Sequence, residues 1–249
     1  MNLLTIFVFV LIIVLAYTVY KLMTKTTATV SGFSDASKTL TVSSDKTGNT
    51  SGANNYGYSV WLYIDTWISS DASTTTFNKN VLTRCDAGNT PLFTMYLDNN
   101  QNNLNVVMRG NETAPCTIRN VQLQKWINLT MSVYGNTVDL YLDGKLVRTC
   151  IMKTLPAFLK SGENVYVGGG YTMAASAAPA APAAITPQDG NLQGYLSNVV
   201  YKAEYFTPEE AWSIYSDGYS GAGMFDFLHS YKLNFSLTNN NQTVGQFSI

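Results

Sequence analysis

The stretch "KWINLTMSVYGNTVDLYLDGKLVRTC", residues 125–150, most constrains the fold. It holds three runs of apolar residues alternating with polar ones, the two-residue period of a half-buried strand. Gly135–Asn136 and Asp143–Gly144 separate the runs. Asp-Gly is a preferred pair for a two-residue hairpin turn, in which both residues take positive φ. The segment therefore predicts three consecutive antiparallel strands. In an unbroken ladder Leu142 faces Lys145, Tyr141 faces Leu146, Leu140 faces Val147 and Asp139 faces Arg148. Asp143 and Gly144 thus define the turn, and Asp139 gains Arg148 as a cross-strand cation, a pair worth ~0.2–1 kcal/mol.

Further runs have the same character. "YGYSVWLYIDTW" (56–67) places Val60, Leu62 and Ile64 on one face and Trp61, Tyr63 and Asp65 on the other. Bulk on both faces is expected of a strand buried between layers. "NVLTRC", "LFTMYLD" and "LNVVMR" follow, the last two flanking an Asn-rich turn at 99–103, and then "NVYVGGG". Short strands at this spacing predict an antiparallel β-sandwich. One helix is expected in "TPEEAWSIYSDG", with Thr207 as N-cap, Pro208 at the first position and Glu210 completing a capping box. Ala211, Ile214 and Tyr215 give its apolar stripe, and Gly218 ends it.

Before this domain lies "LLTIFVFVLIIVLAYTVY", Leu3–Tyr20, without a charge. With Leu22 and Met23 it would span roughly 30 Å as a helix, the thickness of a hydrocarbon core. Residues 1–23 are therefore expected to form a single-pass membrane anchor, from Leu3 to Tyr20 at the interface, with Lys21 reaching outwards. Lys21 and Lys25 follow the run and no Lys or Arg precedes it, which places the C-terminal domain on the cytosolic side. Residues 24–55 are polar and rich in Ser, Thr and Gly, and read as a tether with one short strand at 39–43. The sandwich is assigned to 56–218 and a β tail to 219–249. Within the sandwich, 170–190 reads as a long loop. Its Ala/Pro run around Ala174, Pro179 and Pro182 cannot form a regular strand and is a candidate partner contact.

Charge and composition exclude several function classes. Among 249 residues only 12% are charged and the net charge is −1, so nothing points to nucleic acid. The three cysteines, Cys85, Cys116 and Cys150, form no CxxC pair and are read as three thiols in a reducing compartment; one disulfide with one free thiol is the alternative. Five N-x-S/T triplets, at Asn49, Asn111, Asn128, Asn234 and Asn241, are about what chance gives in so Asn-, Ser- and Thr-rich a chain.

"YSVWLYI", "KWINLTMSVYGNTVDLYLDGKLVR", "VYVGG" and "GYLSNVVYKAEYFTPEEAWSIYSDG" occur in an order that resembles the laminin-G-like branch of the concanavalin A-like lectin/glucanase domains. The resemblance covers about residues 56–218 and implies an all-β jelly-roll sandwich. With the uncharged N-terminal run, the polar stretch after it and "WLYIDTW" followed by an Asn-rich hairpin, the chain also resembles membrane-anchored proteins of large double-stranded DNA viruses. That resemblance implies a minor capsid component linking an internal membrane to the capsid shell. A membrane-tethered glycan-binding module is the alternative.

Neither resemblance brings a catalytic site with it. Glycanases of this fold need two carboxylates flanking the scissile bond, grouped in the family as E-x-D-x-x-E. Here Glu112, Glu163, Glu204, Glu209 and Glu210 are scattered or helical. His229 is the single histidine and reads as structural. No enzymatic activity and no resident cofactor are expected. A calcium ion is the one candidate, with Asp86, Asp98 and Asp189 at predicted strand ends as ligands.

Overall fold

The computed structural model describes residues 3–23, 27–43, 55–69, 76–77, 79–156, 162–173, 183–219, 234–239 and 242–248. Helix α1 covers Leu3–Met23. Its side chains are described at 7–17, where all are exposed. Among the described residues no helix is long and apolar enough to cross a membrane. The backbone of Leu3, Tyr20 and Lys21 is helical, and their side chains lie outside the described set.

The strands are β1 (Thr27–Ser31), β2 (Ser34–Asp35), β3 (Leu40–Ser43), β4 (Tyr56–Thr66), β5 (Thr76–Phe77), β6 (Asn80–Cys85), β7 (Pro91–Leu97), β8 (Leu104–Met108), β9 (Cys116–Ile118), β10 (Trp126–Tyr134), β11 (Thr137–Leu142), β12 (Lys145–Ile151), β13 (Asn164–Val167), β14 (Gly170–Met173), β15 (Ile185–Gln188) and β16 (Gln193–Lys202). Helix α2 (Pro208–Asp217) follows, then β17 (Asn234–Asn239) and β18 (Gln242–Ser248).

Two antiparallel sheets enclose the core. One runs β1-β16-β4-β10-β11-β12, with β2 also paired to β16; the other runs β3-β13-β6-β7-β8-β9. Alternation along the strands sorts side chains between layers. Tyr58, Val60 and Leu62 of β4 sit opposite Met131, Leu129 and Ile127 of β10, all buried. They meet Phe93, Met95, Leu104 and Val106 from the second sheet in one core. Arg84 and Glu163 lie within the protein as a buried ion pair (Nε to Oε2, 2.5 Å), and Arg84 also donates to the Tyr58 hydroxyl (2.6 Å). Pairing and the added hydrogen bond offset the cost of taking both charges out of water.

The alternate face of the first sheet is polar at Ser59, Asn128, Thr130 and Ser132 yet buried. Asn128 and Thr130 bond Ser59 Oγ at 3.0 and 2.9 Å. Ser132 Oγ both donates to the Phe206 carbonyl and accepts from its N–H, each at 2.9 Å. The segment entering α2 therefore lies on this face, and Tyr215 stacks on Trp61 at 5.7 Å. The capping box is formed: Thr207 Oγ1 accepts from the Glu210 N–H at 3.2 Å, and the Glu210 carboxylate accepts from the Thr207 N–H at 2.8 Å. Gly218 ends the helix at φ 83°, ψ 170°, a positive-φ stop outside the left-handed helical region.

Four expectations change. Residues 27–43 are not a free tether: β1 and β2 extend the first sheet, and the short strand expected at 39–43 forms as β3 at the edge of the second. Ser and Thr suit edge strands with one wet side, and composition alone does not separate such strands from a linker. The 170–190 loop begins and ends as a hairpin, β14 with β15, and β14 also pairs β5. Ala174, Pro179 and Pro182, between those strands, lie outside the described residues. Cys116 and Cys150 form a disulfide with Cα atoms 5.9 Å apart, leaving Cys85 free and buried, so the reading of three thiols is replaced. The disulfide joins β9 to β12, an edge of each sheet.

The fourth change concerns the hairpin. Asp143 and Gly144 have φ 51° and 72°, as the turn requires, and Leu142 and Tyr141 face Lys145 and Leu146. A bulge then leaves Val147 unpaired, so Leu140 faces Arg148 and Asp139 faces Thr149. Asp139 accepts from the Thr149 hydroxyl at 2.6 Å instead of pairing with Arg148. In the tail, β17 and β18 pair with each other.

Candidate functional site

Strand register gathers aromatic side chains at one end of the outer face of the first sheet. Tyr195 of β16 is opposite Tyr63 of β4, and Tyr63 is opposite Trp126 of β10. Their ring centroids are 6.4 and 5.6 Å apart along this cross-strand row. Phe33, between β1 and β2, stacks on Tyr195 at 5.1 Å. Tyr219, just beyond α2, lies parallel to Trp126 at 4.7 Å. Phe33, Tyr195 and Tyr219 are 65%, 43% and 46% exposed, while Tyr63 and Trp126 are half-buried. Ring pairs of this kind stabilise by ~0.5–1.5 kcal/mol each, but leaving a contiguous aromatic patch in water is unfavourable and marks a binding surface. Trp61 continues the cluster inward, and its buried indole N–H has no hydrogen-bond partner among the described residues.

A cleft of about 470 Å³ adjoins this row. Phe33 and Tyr219 line it with Thr27, Thr29, Asn198 and Asp217. That volume is in the range of small-molecule sites. The β16 ladder slips between Ser197 and Val200, and Asn198 within the slip has φ 45°. Bulges of this kind redirect a side chain, and strained non-glycine backbone gathers at functional sites. The cleft thus combines two aromatic walls with hydroxyls, an amide and one carboxylate. Among the described residues lining it Asp217 is the one carboxylate, whereas glycoside hydrolysis uses two.

Asp143, Thr207, Glu210 and the three calcium-ligand candidates do not line this cleft. Asp143 accepts from the Asn128 N–H at 2.9 Å and pairs with Lys125 at 3.3 Å, so it ties the turn to β10. Thr207 and Glu210 hold the start of α2, and Glu210 also receives Lys202 at 2.6 Å. The three calcium-ligand candidates do not converge. Asp86 pairs with Arg109 at 2.8 Å and accepts from the Gly88 and Thr90 N–H groups. Burial pushes its carboxyl upward, but those donors outweigh it and hold the group below its ordinary value. Asp98 accepts from Asn103 and Asn105. Asp189 pairs with Lys38 at 2.7 Å, and that hydrogen bond holds its carboxyl low. Among the described residues no group of three His, Cys, Asp or Glu side chains is placed to hold a metal. Glu163 is taken by Arg84, Glu112 accepts from the Gly110 N–H, and Glu204 lies 3.8 Å from Lys202. His229 falls outside the described residues.

The aromatic site itself was not singled out from sequence. One signal was present: Tyr63 sits on the face of β4 opposite Val60, Leu62 and Ile64, and Trp126 opens its strand on the same outward phase. Phe33, Tyr195 and Tyr219 come from three other places in the chain, and only the folded register unites them.

A family model described as Laminin_G_3, concanavalin A-like lectin/glucanases superfamily, matches residues 32–185. No curated protein matches the chain. Among solved structures, the receptor binding domain of botulinum neurotoxin C/D mosaic serotype is 12% identical, with 74% of this chain and 42% of that one covered at a TM-score of 0.49. The ligand binding domain of botulinum neurotoxin serotype D, solved in complex with N-acetylneuraminic acid, is 13% identical over 74% and 42%, also at 0.49. Trypanosoma rangeli sialidase is 14% identical over 69% and 24%, at 0.45. The chain spans less than half the length of each of these structures. The matched region is more than half of the 249 residues, and the chain belongs to the Laminin_G_3 family of the concanavalin A-like lectin/glucanases superfamily.

Proposed function

We propose that this protein is a non-catalytic saccharide-binding module held at a membrane by its N-terminal helix. The observation that carries the reading is the row Phe33–Tyr195–Tyr63–Trp126–Tyr219 ending at a cleft with Asn198 and Asp217. A sugar ring has an apolar face for stacking and hydroxyls at its rim. Aromatic rings serve the first, and a carboxylate, an amide and threonine hydroxyls serve the second. Among the described residues Asp217 is the one charged group lining the cleft, which favours a neutral sugar over an acidic one.

The anchor reading is supported by the sequence alone: Leu3–Tyr20 carries no charge, and with Leu22 and Met23 the run would extend roughly 30 Å as a helix. Cys116–Cys150 favours an oxidising compartment for the domain, against the cytosolic side expected from Lys21 and Lys25. The role in a virion, between membrane and capsid, rests on the resemblance alone.

The test is a neutral-glycan array followed by calorimetry on the best ligand, with Trp126→Ala and Tyr195→Ala. Each variant should lose about tenfold or more in affinity while melting near the parent temperature. An array without binders, or undiminished affinity in Trp126→Ala, would refute the reading. Co-purification with capsid protein together with a blank array would favour the virion role.

A further inference from the structure

A second cleft, of about 610 Å³, lies where the edges of the two sheets meet, and it shares no lining residue with the first. Arg119, just beyond β9, and Arg148, on β12, both line it. Both are exposed, and neither makes an ion pair or hydrogen bond with the described residues. Among the described residues no acidic one lines the cleft, and Ile118, Leu142 and Val147 give it an apolar side. In a protein of net charge −1, two guanidinium groups from different sheets without a carboxylate are unexpected.

The hairpin explains how Arg148 comes to be free. An unbroken ladder would set it against Asp139. The bulge at Val147 moves Asp139 to Thr149, where the Thr149 hydroxyl holds it. Bulges re-aim side chains, and this one separates a guanidinium from its nearest cross-strand carboxylate. The disulfide fixes both arginines on one frame: Cys116 is three residues before Arg119 and Cys150 two after Arg148.

We infer that this cleft binds an oxyanion, held between Arg119 and Arg148, carried on a small body whose apolar edge rests on Val147 and Leu142. Guanidinium groups recognise carboxylate, sulfate and phosphate alike through paired N–H donors. An acidic monosaccharide and a free inorganic anion are two sources of that chemistry. The site is independent of the aromatic row and does not require that row to bind sugar.

Titration of the full chain by calorimetry at low salt separates these sources. Sodium glucuronate should bind, and glucose at the same concentration should not. Inorganic sulfate should compete with glucuronate, but bind more weakly because it lacks the apolar body. Arg119→Gln and Arg148→Gln should each weaken glucuronate about tenfold, with Arg148→Lys intermediate and melting temperatures unchanged. Reducing Cys116–Cys150 should also weaken glucuronate, through the loosened frame. Glucuronate affinity that survives both glutamine variants, equal binding of glucose, or failure of sulfate to compete would each overturn the proposal. Sulfate binding as tight as glucuronate would overturn the apolar contribution.

Discussion

Replacing Gly144 with alanine tests the hairpin and the helix packed over it in one experiment. Gly144 has φ 72°. A side chain there raises the energy by ~1–2 kcal/mol, because Cβ crowds the following carbonyl. A Cβ at this position would also lie 3.0 Å from Trp212 Cα, 3.0 Å from Trp212 Cε3 and 3.1 Å from Tyr215 Cβ. Two of these atoms belong to the backbone or the root of a side chain, so α2 has to shift, and over-packing of that order costs ~1–3 kcal/mol. The combined loss is about 3 kcal/mol, a fall of roughly 6–12 °C in melting temperature for a chain of this size. Gly135→Ala is the control. Its φ is 56° and a Cβ would meet nothing within 4 Å, so only the backbone part remains, about 1 kcal/mol. Urea unfolding followed by far-UV dichroism and tryptophan fluorescence measures both. Equal losses in the two variants would refute the packing of α2 on the turn. An unchanged midpoint in Gly144→Ala would refute the turn itself.

Two further outcomes concern the cysteines. Replacing Cys116 and Cys150 together by serine should lower stability by about 4 kcal/mol on the chain-entropy estimate for a separation of 34 residues. Thiol titration of the unreduced, denatured protein should then find one thiol in the parent, and a count of three would remove the disulfide. Cys85 is fully buried, and burial, with the nearby Asp86 charge, pushes its thiol up to about 12. At pH 8 it should resist iodoacetamide in the folded protein and react at the ordinary rate in urea; rapid labelling of the native state would contradict its burial.

Much of the fold was legible because the hairpins of this chain announce themselves. Asp143–Gly144 and Gly135–Asn136 fix two turns, and alternation then fixes the inner face of β4, β10 and β11. What stayed hidden has physical causes. The slip at Val147 cannot be seen in "KLVRTCI", since an exposed edge strand places little demand on alternation. β1 and β2 have the Ser and Thr content of a linker and become strands only when β16 supplies the ladder. Cys116 and Cys150 stand in no motif and meet because two sheet edges meet. The aromatic row is assembled from positions as distant as Phe33 and Tyr219, so its members could be seen singly as outward-facing rings but not as a surface.

The placement of β1 also limits how far the sandwich can stand from α1. Helix α1 ends at Met23 and β1 begins at Thr27, four Cα steps away, so the first sheet is held within roughly 15 Å of the end of the helix. If α1 is embedded in a membrane, the sandwich has no stalk. It would then work in a shell next to the bilayer, where a ligand displayed on the same surface would be met at the effective concentration of an intramolecular partner, about millimolar for short connections. Under that condition a weak site suffices for near-constant occupancy, and a ligand on an opposing surface is reached only when the two surfaces come within the thickness of this one domain.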